Sequence, residues 1–297
     1  MGSKQKPVVF FFHGLNTFGD DLLHFGPVNL GRMDRFVTPA LESGGLKVYS
    51  INGVGSGSPE SQARLAASQI SGFKDLQPES NVTLIGNSMG GLVTRALARL
   101  WKIEPGLNSH GLKIEKLISW GTPHQGTRVA DLALKVSKKH PTFMHYSTTA
   151  IGRFNELHPL NAFAPEFCFT CAVGWREVSP YFYPYFFVHS RSHPPRPSDG
   201  FISVENQTWG RVRGTFRLDH FGQTGFSMIF PTRAQRERSR KEFTKLCDAM
   251  AALVKSPVEI SDTAELSISA SPRESGNRLE VGRDIFRTPH KLPKRLR

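Results

Sequence analysis

Several classes of protein are excluded by what the sequence lacks. No run of about 18 apolar residues occurs, and the most apolar stretch, residues 181–188, is short and contains Pro184, so we expect no membrane-spanning helix. The chain has no internal repeat. Its composition, with 38% hydrophobic residues, 27 Gly and 20 Pro, rules out collagen-like, coiled-coil and wholly disordered proteins. At 297 residues the chain is long enough to bury a large core.

The amino terminus also lacks targeting patterns. Residues 1–4 lead directly into an apolar segment without the pattern of a secretory signal. Lys6 stands where N-myristoylation requires Ser or Thr. We therefore expect either an intracellular protein or a secreted one whose leader has been removed.

Cysteine is scarce, with three residues in the chain. Cys168 and Cys171 have the C-x-x-C spacing of metal and redox sites, but they lie in an apolar segment typical of a strand, on which residues three apart face opposite sides. Zinc would also need a second ligand pair, and none is evident. We interpret both as buried thiols rather than as a redox or metal pair, and the sequence predicts neither a metal nor a cofactor.

Charge and aromatic content are the unusual features that are present. Lys and Arg number 38 against 25 Asp and Glu, a net charge of +13 with His neutral. This charge would suit an anionic lipid surface, and no nucleic-acid-binding motif accompanies it, so no nucleic-acid partner is expected. Residues 141–198 contain eight of the 22 Phe and four of the five Tyr but no Lys or Asp. Such a block is either ordinary core, a dimer interface, or a cap over a binding site, and we favour the cap.

Apolar segments alternate with amphipathic ones along most of the chain. This alternation predicts an α/β protein with a mainly parallel sheet flanked by helices. The predicted strands are residues 7–12, 46–52, 81–86, 114–120, 167–175 and 211–218, and the predicted helices are 59–76, 89–102 and 233–255. Residues 256–297, rich in Ser, Pro, Arg and Glu, are expected to form a flexible basic tail.

The most informative motif is residues 86–91, G-N-S-M-G-G, between a predicted strand and a predicted helix. G-x-S-x-G in this position is typical of a nucleophilic serine on a sharp strand-to-helix turn. Such a serine needs two backbone N–H groups that stabilise the oxyanion. We assign one to Met89, directly after Ser88, and the other to Leu15, which follows His13 and Gly14 at the end of the first strand.

Enzymes with a serine on such a turn carry an acid and then a histidine later in the chain. His220 ends the last predicted strand and is the preferred base. Asp199, followed by a glycine that permits a turn, is the preferred acid, because Asp219 directly precedes His220 and sequence neighbours rarely face each other in a triad. Other histidines considered as the base are His110, His140, His145, His158, His189 and His193.

These residues resemble those of the α/β-hydrolase lipases, closest to bacterial triacylglycerol lipases and related esterases. The shared blocks, in family order, are residues 13–15, 86–91 and 121–127 (G-T-P-H-Q-G-T), followed by Asp199 and His220. The third block is the most specific, and we interpret its His124 as a scaffold residue rather than the base. The resemblance covers residues 7 to about 255.

The resemblance implies an α/β-hydrolase domain over residues 1–255, with a cap or lid insertion at about 128–197, the region of the aromatic block. Many family members also hold a structural calcium through a carboxylate just after the catalytic histidine. Here residues 221–223 are F-G-Q, so no calcium site is expected. Candidate substrate-binding residues are Phe18, Tyr181, Phe182, Phe186 and Phe187.

The sequence therefore predicts a serine hydrolase that cleaves carboxylic esters of lipids through an acyl-enzyme. Ser88 would be the nucleophile, His220 the base and Asp199 the acid. The expected partner is a lipid or other hydrophobic ester. The same residues would suit a phospholipase or an acyltransferase, and a catalytically silent binding module with this fold is the alternative from a different class. Chain-length preference and oligomeric state are not predicted.

Overall fold

The structure is a computed structural model that describes residues 6–14, 22–25, 28–32, 34–52, 57–136, 143–190, 196–226 and 232–258. Its strands are β1 (Val8–Phe12), β2 (Leu22–Phe25), β3 (Val28–Arg32), β4 (Lys47–Ile51), β5 (Asn81–Asn87), β6 (Lys113–Trp120), β7 (Glu166–Cys171) and β8 (Arg211–Phe216). Its helices are α1 (Val37–Ser43), α2 (Pro59–Ser71), α3 (Gly90–Ile103), α4 (Arg128–Val136), α5 (Thr148–Leu157), α6 (Tyr183–Ser190), α7 (Val204–Gln207) and α8 (Arg233–Lys255).

Contacts divide the chain into two units, Met1–Leu266 and Ser267–Arg297. The second unit lies outside the described residues, as does nearly all of the predicted tail. The proposed domain boundary at residue 255 therefore stays a prediction.

Six strands form one parallel sheet in the order β4-β1-β5-β6-β7-β8, and β2 and β3 form a separate antiparallel hairpin. This arrangement confirms the predicted α/β architecture. The register places Phe12 beside Gly86 and Asn87 beside Trp120. The ends of β1, β5 and β6 therefore lie side by side at the carboxyl edge of the sheet, which is where open α/β sheets bind ligands.

The central strand β1 is buried on both faces, as its unbroken apolar sequence predicts. Its residues alternate between two cores. Phe10 and Phe12 pack with apolar side chains of α2 and α3, and Val9 and Phe11 pack with those of α1 and α8. The helices therefore cover both faces of the sheet.

A buried lysine fastens α8 to the sheet. Lys116 on β6 is fully buried, and its Nζ donates to the carbonyl oxygens of Leu253 at 2.8 Å, Val254 at 3.1 Å and Ser256. These carbonyls end α8 and have no partner within the helix. The lysine charge is also favourable at this negative end of the helix dipole.

The predicted elements match the observed ones most closely where their boundaries have a local cause. Ser58 caps α2 by accepting from Ser61 N at 3.2 Å. That helix ends before Gly72 rather than at residue 76. Helix α8 has the predicted bounds and begins with a capping box between Thr232 and Gln235. The predicted strands 167–175 and 211–218 were too long at their carboxyl ends. The β2–β3 hairpin and the helices α1 and α4–α7 were not predicted.

The aromatic block does not form one structural unit. Phe167 and Phe169 lie on β7 and are buried in the core beneath α8, so they are ordinary core residues. The described parts of the predicted insertion that lie outside the sheet are residues 128–136, 143–165, 172–190 and 196–197. Their role as a cap stays a prediction. Within the described ranges, none of the helices has the length and apolar character needed to cross a membrane.

Candidate active site

Ser88 occupies the turn between β5 and α3. Its φ of 52° lies in the left-handed region, which is costly for a residue with a side chain and persists only where the surroundings hold it. Its backbone N–H donates to Trp120 O at 3.0 Å. A Cβ on Gly90 would lie 2.2 Å from Phe12 O, so α3 can begin this close to β1 only with glycine there. The structure therefore contains the sharp turn that the G-x-S-x-G motif predicts.

His220 meets this serine from a different part of the chain. It follows β8, and its Nε2 lies 3.0 Å from Ser88 Oγ. The backbone N–H of His220 donates to Asp199 O at 2.9 Å, which joins its loop to the loop of the predicted acid. Its side chain is 14% exposed, so the imidazole lies at the surface of the site rather than deep in the core.

Asp199 contacts the other ring nitrogen of His220. Its Oδ2 lies 2.8 Å from His220 Nδ1, and its side chain is fully buried. Oδ1 accepts from the backbone N–H groups of Phe201 at 2.8 Å and Ile202 at 2.7 Å. Gln223 Nε2 donates to Oδ2 at 2.6 Å. These four donors compensate the carboxylate for the loss of water.

The contacts of Asp199 also decide which tautomer of His220 can form. An ionised carboxylate only accepts hydrogen bonds, so the hydrogen of a neutral imidazole lies on Nδ1. The lone pair on Nε2 then faces Ser88 Oγ. The structure thus brings together Ser88, His220 and Asp199 in an arrangement that can take a proton from the serine hydroxyl.

The predicted oxyanion groups are described in part. Met89 directly follows Ser88 and is the N-cap residue of α3, where the helix dipole favours negative charge. Gly14 packs against the serine, since a Cβ added to it would lie 2.8 Å from Ser88 Cβ. Leu15 lies outside the described residues. Its role, like that of Met89, stays a prediction.

Aromatic rings surround His220. The ring centroids of Phe182 and Phe201 lie 5.8 and 5.3 Å from that of the imidazole, and the rings of Phe182 and Phe221 are 4.6 Å apart. Of these, Phe201 and Phe221 were not predicted, because each lies next to a polar turn whose sequence gives no sign of an aromatic contact.

The other predicted substrate-binding residues differ in how far they are exposed. Phe186 is half-buried against the same aromatic cluster, whereas Phe187 is 49% exposed. Phe18 and the side chain of Tyr181 lie outside the described part of the structure. Substrate contact by any of these residues stays a prediction.

The alternative acid and two of the alternative bases contact other groups. Asp219 accepts from Ser179 N at 2.8 Å and Gly222 N at 2.7 Å, and burial raises its pKa to about 6. His189 is buried with Nε2 3.1 Å from Phe201 O. His158 Nδ1 donates to Phe154 O at 2.8 Å. His110 and His145 lie after α3 and in the turn Phe143–His145, and His140 and His193 lie outside the described residues.

A second group of polar side chains lies behind the G-T-P-H loop. His124 Nε2 lies 2.8 Å from Ser119 Oγ, and His124 Nδ1 lies 3.5 Å from an Arg95 amino nitrogen. Burial and the neighbouring Arg95 charge lower the pKa of His124 well below 6.5. Asn155 Nδ2 donates to His124 O at 2.8 Å. These contacts support the interpretation of His124 as a scaffold residue.

Arg95 is the centre of this group. It is 2% exposed, its Nε faces Glu166 Oε2 at 3.3 Å, and its guanidinium lies 3.9 Å from the Trp209 ring centroid. Trp209 Nε1 donates to the same Glu166 oxygen at 2.7 Å. Burial lowers the pKa of Arg95 to about 10 and raises the pKa of Glu166. The sequence did not predict this buried ion pair.

The cysteines agree with the sequence-based interpretation. Cys168, Cys171 and Cys247 are free and buried. Burial raises the pKa of the Cys168 thiol to about 11 and that of Cys247 to about 12. Thiols with raised pKa values are poor nucleophiles at neutral pH.

Residues 7–156, about half of the chain, match the family model of palmitoyl protein thioesterase. The chain belongs to the palmitoyl protein thioesterase family. The matched part of this family member contains Ser88 and His124, whereas Asp199 and His220 follow it in the chain. No curated protein sequence matches the chain.

Solved structures of similar fold are bacterial lipases and esterases. Staphylococcus hyicus lipase has a TM-score of 0.61 and 14% identity, over 84% of this chain and 96% of that one. The metagenomic carboxyl esterase MGS0156 has a TM-score of 0.62 and 14% identity, over 85% and 76%. EstA from Clostridium botulinum has a TM-score of 0.58 and 16% identity, over 86% and 90%. Together with the sheet, these likenesses confirm the predicted α/β-hydrolase fold.

Proposed function

We propose that the protein is a serine hydrolase that cleaves fatty acyl esters through an acyl-enzyme on Ser88. The observation that carries the proposal is the chain of contacts from Ser88 Oγ to His220 and on to Asp199, with the serine at a positive φ. Membership in the thioesterase family and the α/β-hydrolase fold support a hydrolase of the lipase and esterase type.

In the proposed reaction, Ser88 Oγ attacks the acyl carbon while His220 Nε2 takes the hydroxyl proton. The tetrahedral oxyanion then receives hydrogen bonds from the backbone N–H groups of Met89 and Leu15. When the bond to the leaving oxygen breaks, His220 returns the proton to the alcohol. Water then loses a proton to His220 and attacks the acyl-enzyme. As the carboxylic acid leaves, His220 returns that proton to Ser88 Oγ and restores the hydroxyl.

The proposed substrate is hydrophobic because aromatic side chains surround the reacting groups. The rings of Phe182 and Phe201 pack against His220, Phe221 packs on Phe182, and Phe186 extends the same cluster. Rings in this position would exclude water from the acyl-enzyme and offer apolar contacts to a long acyl chain. A lid over residues 128–197 and an anionic lipid surface as partner remain predictions that go with this substrate class.

A thioester is the second candidate substrate, and the family match favours it. Esters and thioesters of one fatty acid give the same acyl-enzyme on Ser88. They differ in the leaving group. A thiolate can leave without a proton from His220, whereas an alkoxide needs that proton. The ratio of kcat/KM on a C16 ester to that on a C16 thioester therefore separates the two candidates.

The proposal can be tested with p-nitrophenyl esters from C2 to C16 and with a C16 acyl thioester, using the wild type and Ser88→Ala. We expect longer acyl chains to give the higher kcat/KM, and Ser88→Ala to lose more than about a thousandfold of the activity on every substrate. Turnover that survives Ser88→Ala would contradict the proposal. No turnover by the wild type would favour the silent binding module instead.

A further inference from the structure

Gln223 is a buried polar residue beside the proposed acid that the reaction above does not use. It lies in the short turn Gly222–Thr224, three residues after His220, and it is fully buried. Its Nε2 donates to Asp199 Oδ2 at 2.6 Å, and the same oxygen accepts from His220 Nδ1 at 2.8 Å. Because a carboxylate only accepts, the nitrogen of the Gln223 amide must be the atom that faces it. Two donors thus share one carboxylate oxygen.

Gln223 is held through both its backbone and its side chain. Its backbone O accepts from Trp120 Nε1 at 3.1 Å, and its backbone N donates to Asp219 O at 3.1 Å. Its Oε1 lies against the backbone of Gly121, where a Cβ would be 1.9 Å away. The side-chain amide of Asn87, the residue before Ser88, lies 3.3 Å from Oε1. The residue therefore connects the serine turn, the end of β6 and the acid.

We propose that Gln223 is a positioning residue that fixes the Asp199 carboxylate toward His220 Nδ1 by donating a hydrogen bond to the shared oxygen Oδ2. The inference rests on the proposed function. Phe201 N and Ile202 N hold Oδ1, so the Gln223 amide supplies the remaining side-chain constraint on Oδ2. It also takes up part of the negative charge that would otherwise act on His220 alone.

Loss of this donor has two consequences. The Asp199 carboxylate can turn away from His220, which lowers kcat with little effect on KM because no substrate contact is removed. The uncompensated charge on Oδ2 also favours the protonated imidazole, so the acid limb of the pH–rate profile moves to higher pH. The other titratable groups that interact with Asp199 in the described part of the chain are Asp219, Cys171 and His189, and all three stay unchanged in the variants below.

The decisive variants are Gln223→Met, which keeps the length but removes the donor, and Gln223→Glu, which keeps the donor only while it is protonated. For Gln223→Met we expect kcat to fall roughly tenfold to a hundredfold at nearly constant KM, with the acid limb at higher pH. For Gln223→Glu we expect a smaller loss near neutral pH and a new fall in activity at higher pH, when two carboxylates face each other.

The matched control is Gln62→Met on α2. Gln62 is 4% exposed and its Nε2 donates to Gly57 O at 2.9 Å and Tyr146 Oη at 3.0 Å, away from the acid. We expect it to lower stability while kcat per folded molecule and the pH profile stay as in the wild type. Folded enzyme is counted by circular dichroism and by fluorophosphonate titration.

Unchanged kcat and pH profile in Gln223→Met would overturn the proposal. If Gln223→Met does not fold, Gln223→Glu decides, because a wild-type alkaline limb in that variant contradicts the positioning role. Failure of the proposed function is a separate result, since the wild type itself would then neither turn over esters nor react with the fluorophosphonate.

Discussion

Two serine–histidine pairs lie near neighbouring strand ends in the described part of the molecule, and they differ in what faces the second nitrogen of each histidine. In the first, Ser88 Oγ and His220 Nε2 are 3.0 Å apart, and the carboxylate of Asp199 faces Nδ1. In the second, Ser119 Oγ and His124 Nε2 are 2.8 Å apart, and a guanidinium faces Nδ1. The two hydrogen bonds have similar lengths and opposite directions.

The direction follows from the charge on the far side of the ring. Asp199 accepts from Nδ1, which leaves the lone pair of His220 Nε2 free to take a proton from Ser88. Arginine only donates, so His124 Nδ1 must accept, and its Nε2–H then points at Ser119 Oγ. The second histidine cannot act as a base toward its serine. A short serine–histidine distance is therefore weak support for catalysis until the partner of the other nitrogen is known.

Burial and backbone conformation separate the two pairs further. His124 is 1% exposed and lies under Trp209, and Ser119 is an ordinary residue of β6. Ser88 has a strained backbone, and the side chain of His220 retains some exposure. The first pair therefore has the backbone strain and the solvent access that are typical of a reactive site. The second pair has the buried contacts of a structural one.

The largest expected difference between the two sites concerns their carboxylates, Asp199 beside His220 and Glu166 beside Arg95, when each is replaced by its amide. Asp199→Asn is expected to lower kcat by about 10⁴, because the amide can donate to Nδ1 and so favours the wrong tautomer of His220. Glu166→Gln is expected to keep kcat per folded molecule within about threefold, since Glu166 contacts Arg95 rather than His220. Kinetics on a p-nitrophenyl ester measure both. Asp199→Asn with a tenth or more of the wild-type kcat would contradict the assignment.

The second expected effect is on stability and concerns the buried ion pair behind the second histidine. Arg95→Met should lower the free energy of unfolding by about 3–5 kcal/mol, because it leaves the buried Glu166 without its cation. Replacing both residues, Arg95→Met with Glu166→Met, should recover part of that loss. The control is Arg64→Met, whose ion pair with Glu104 is largely exposed and should matter little. Urea denaturation would contradict the account if the Arg95 and Arg64 variants were equally stable.

The smallest expected effect is the pH dependence of stability. Burial lowers the pKa of His158 to about 4, and the pKa of His124 also lies well below 6.5. Between pH 6.5 and 4 the unfolded chain binds these protons and the folded one does not, so both histidines make stability fall as the pH falls. The raised pKa values of Glu166 and Asp219 act in the opposite direction.

The histidine contribution can be isolated with His158→Phe, since His158 already stacks on Phe154 at a centroid distance of 3.8 Å. The difference in unfolding free energy between pH 7.5 and 5 should be smaller in this variant than in the wild type. An identical pH dependence in the two proteins would contradict the lowered pKa, because it would mean that His158 binds its proton equally well in the folded and unfolded states.

The sequence predicted those parts of the structure that have a local cause. The apolar run of β1 and the amphipathic pattern of α8 act within a few residues, and the serine turn needs glycine at fixed positions. Once these elements were placed, chain order and the position after the last strand were enough to select His220 and Asp199.

The parts that were not predicted depend on partners far away in the chain. Arg95 has the sequence context of a polar residue on an amphipathic helix, and its burial depends on Glu166, Trp209, Asn155 and His158 O, all far along the chain. From the sequence, Gln223 indicates only that the carboxylate of a calcium site is absent after His220. Its contact with Asp199 joins residues that are 24 positions apart, and the sequence does not reveal it. Helices α4–α6 are short, and several of their apolar side chains, among them Leu132, Val136 and Phe187, are exposed rather than packed in a core.

The central claim concerns the charged group that faces Nδ1 of each histidine. The Asp199 carboxylate makes Ser88 reactive, whereas the Arg95 guanidinium leaves Ser119 inert. Fluorophosphonate labelling followed by intact mass measurement tests it most directly, using the wild type, Ser88→Ala and Ser119→Ala. The account predicts one adduct on the wild type and on Ser119→Ala, and none on Ser88→Ala. An adduct on Ser88→Ala, or its loss from folded Ser119→Ala, would contradict it.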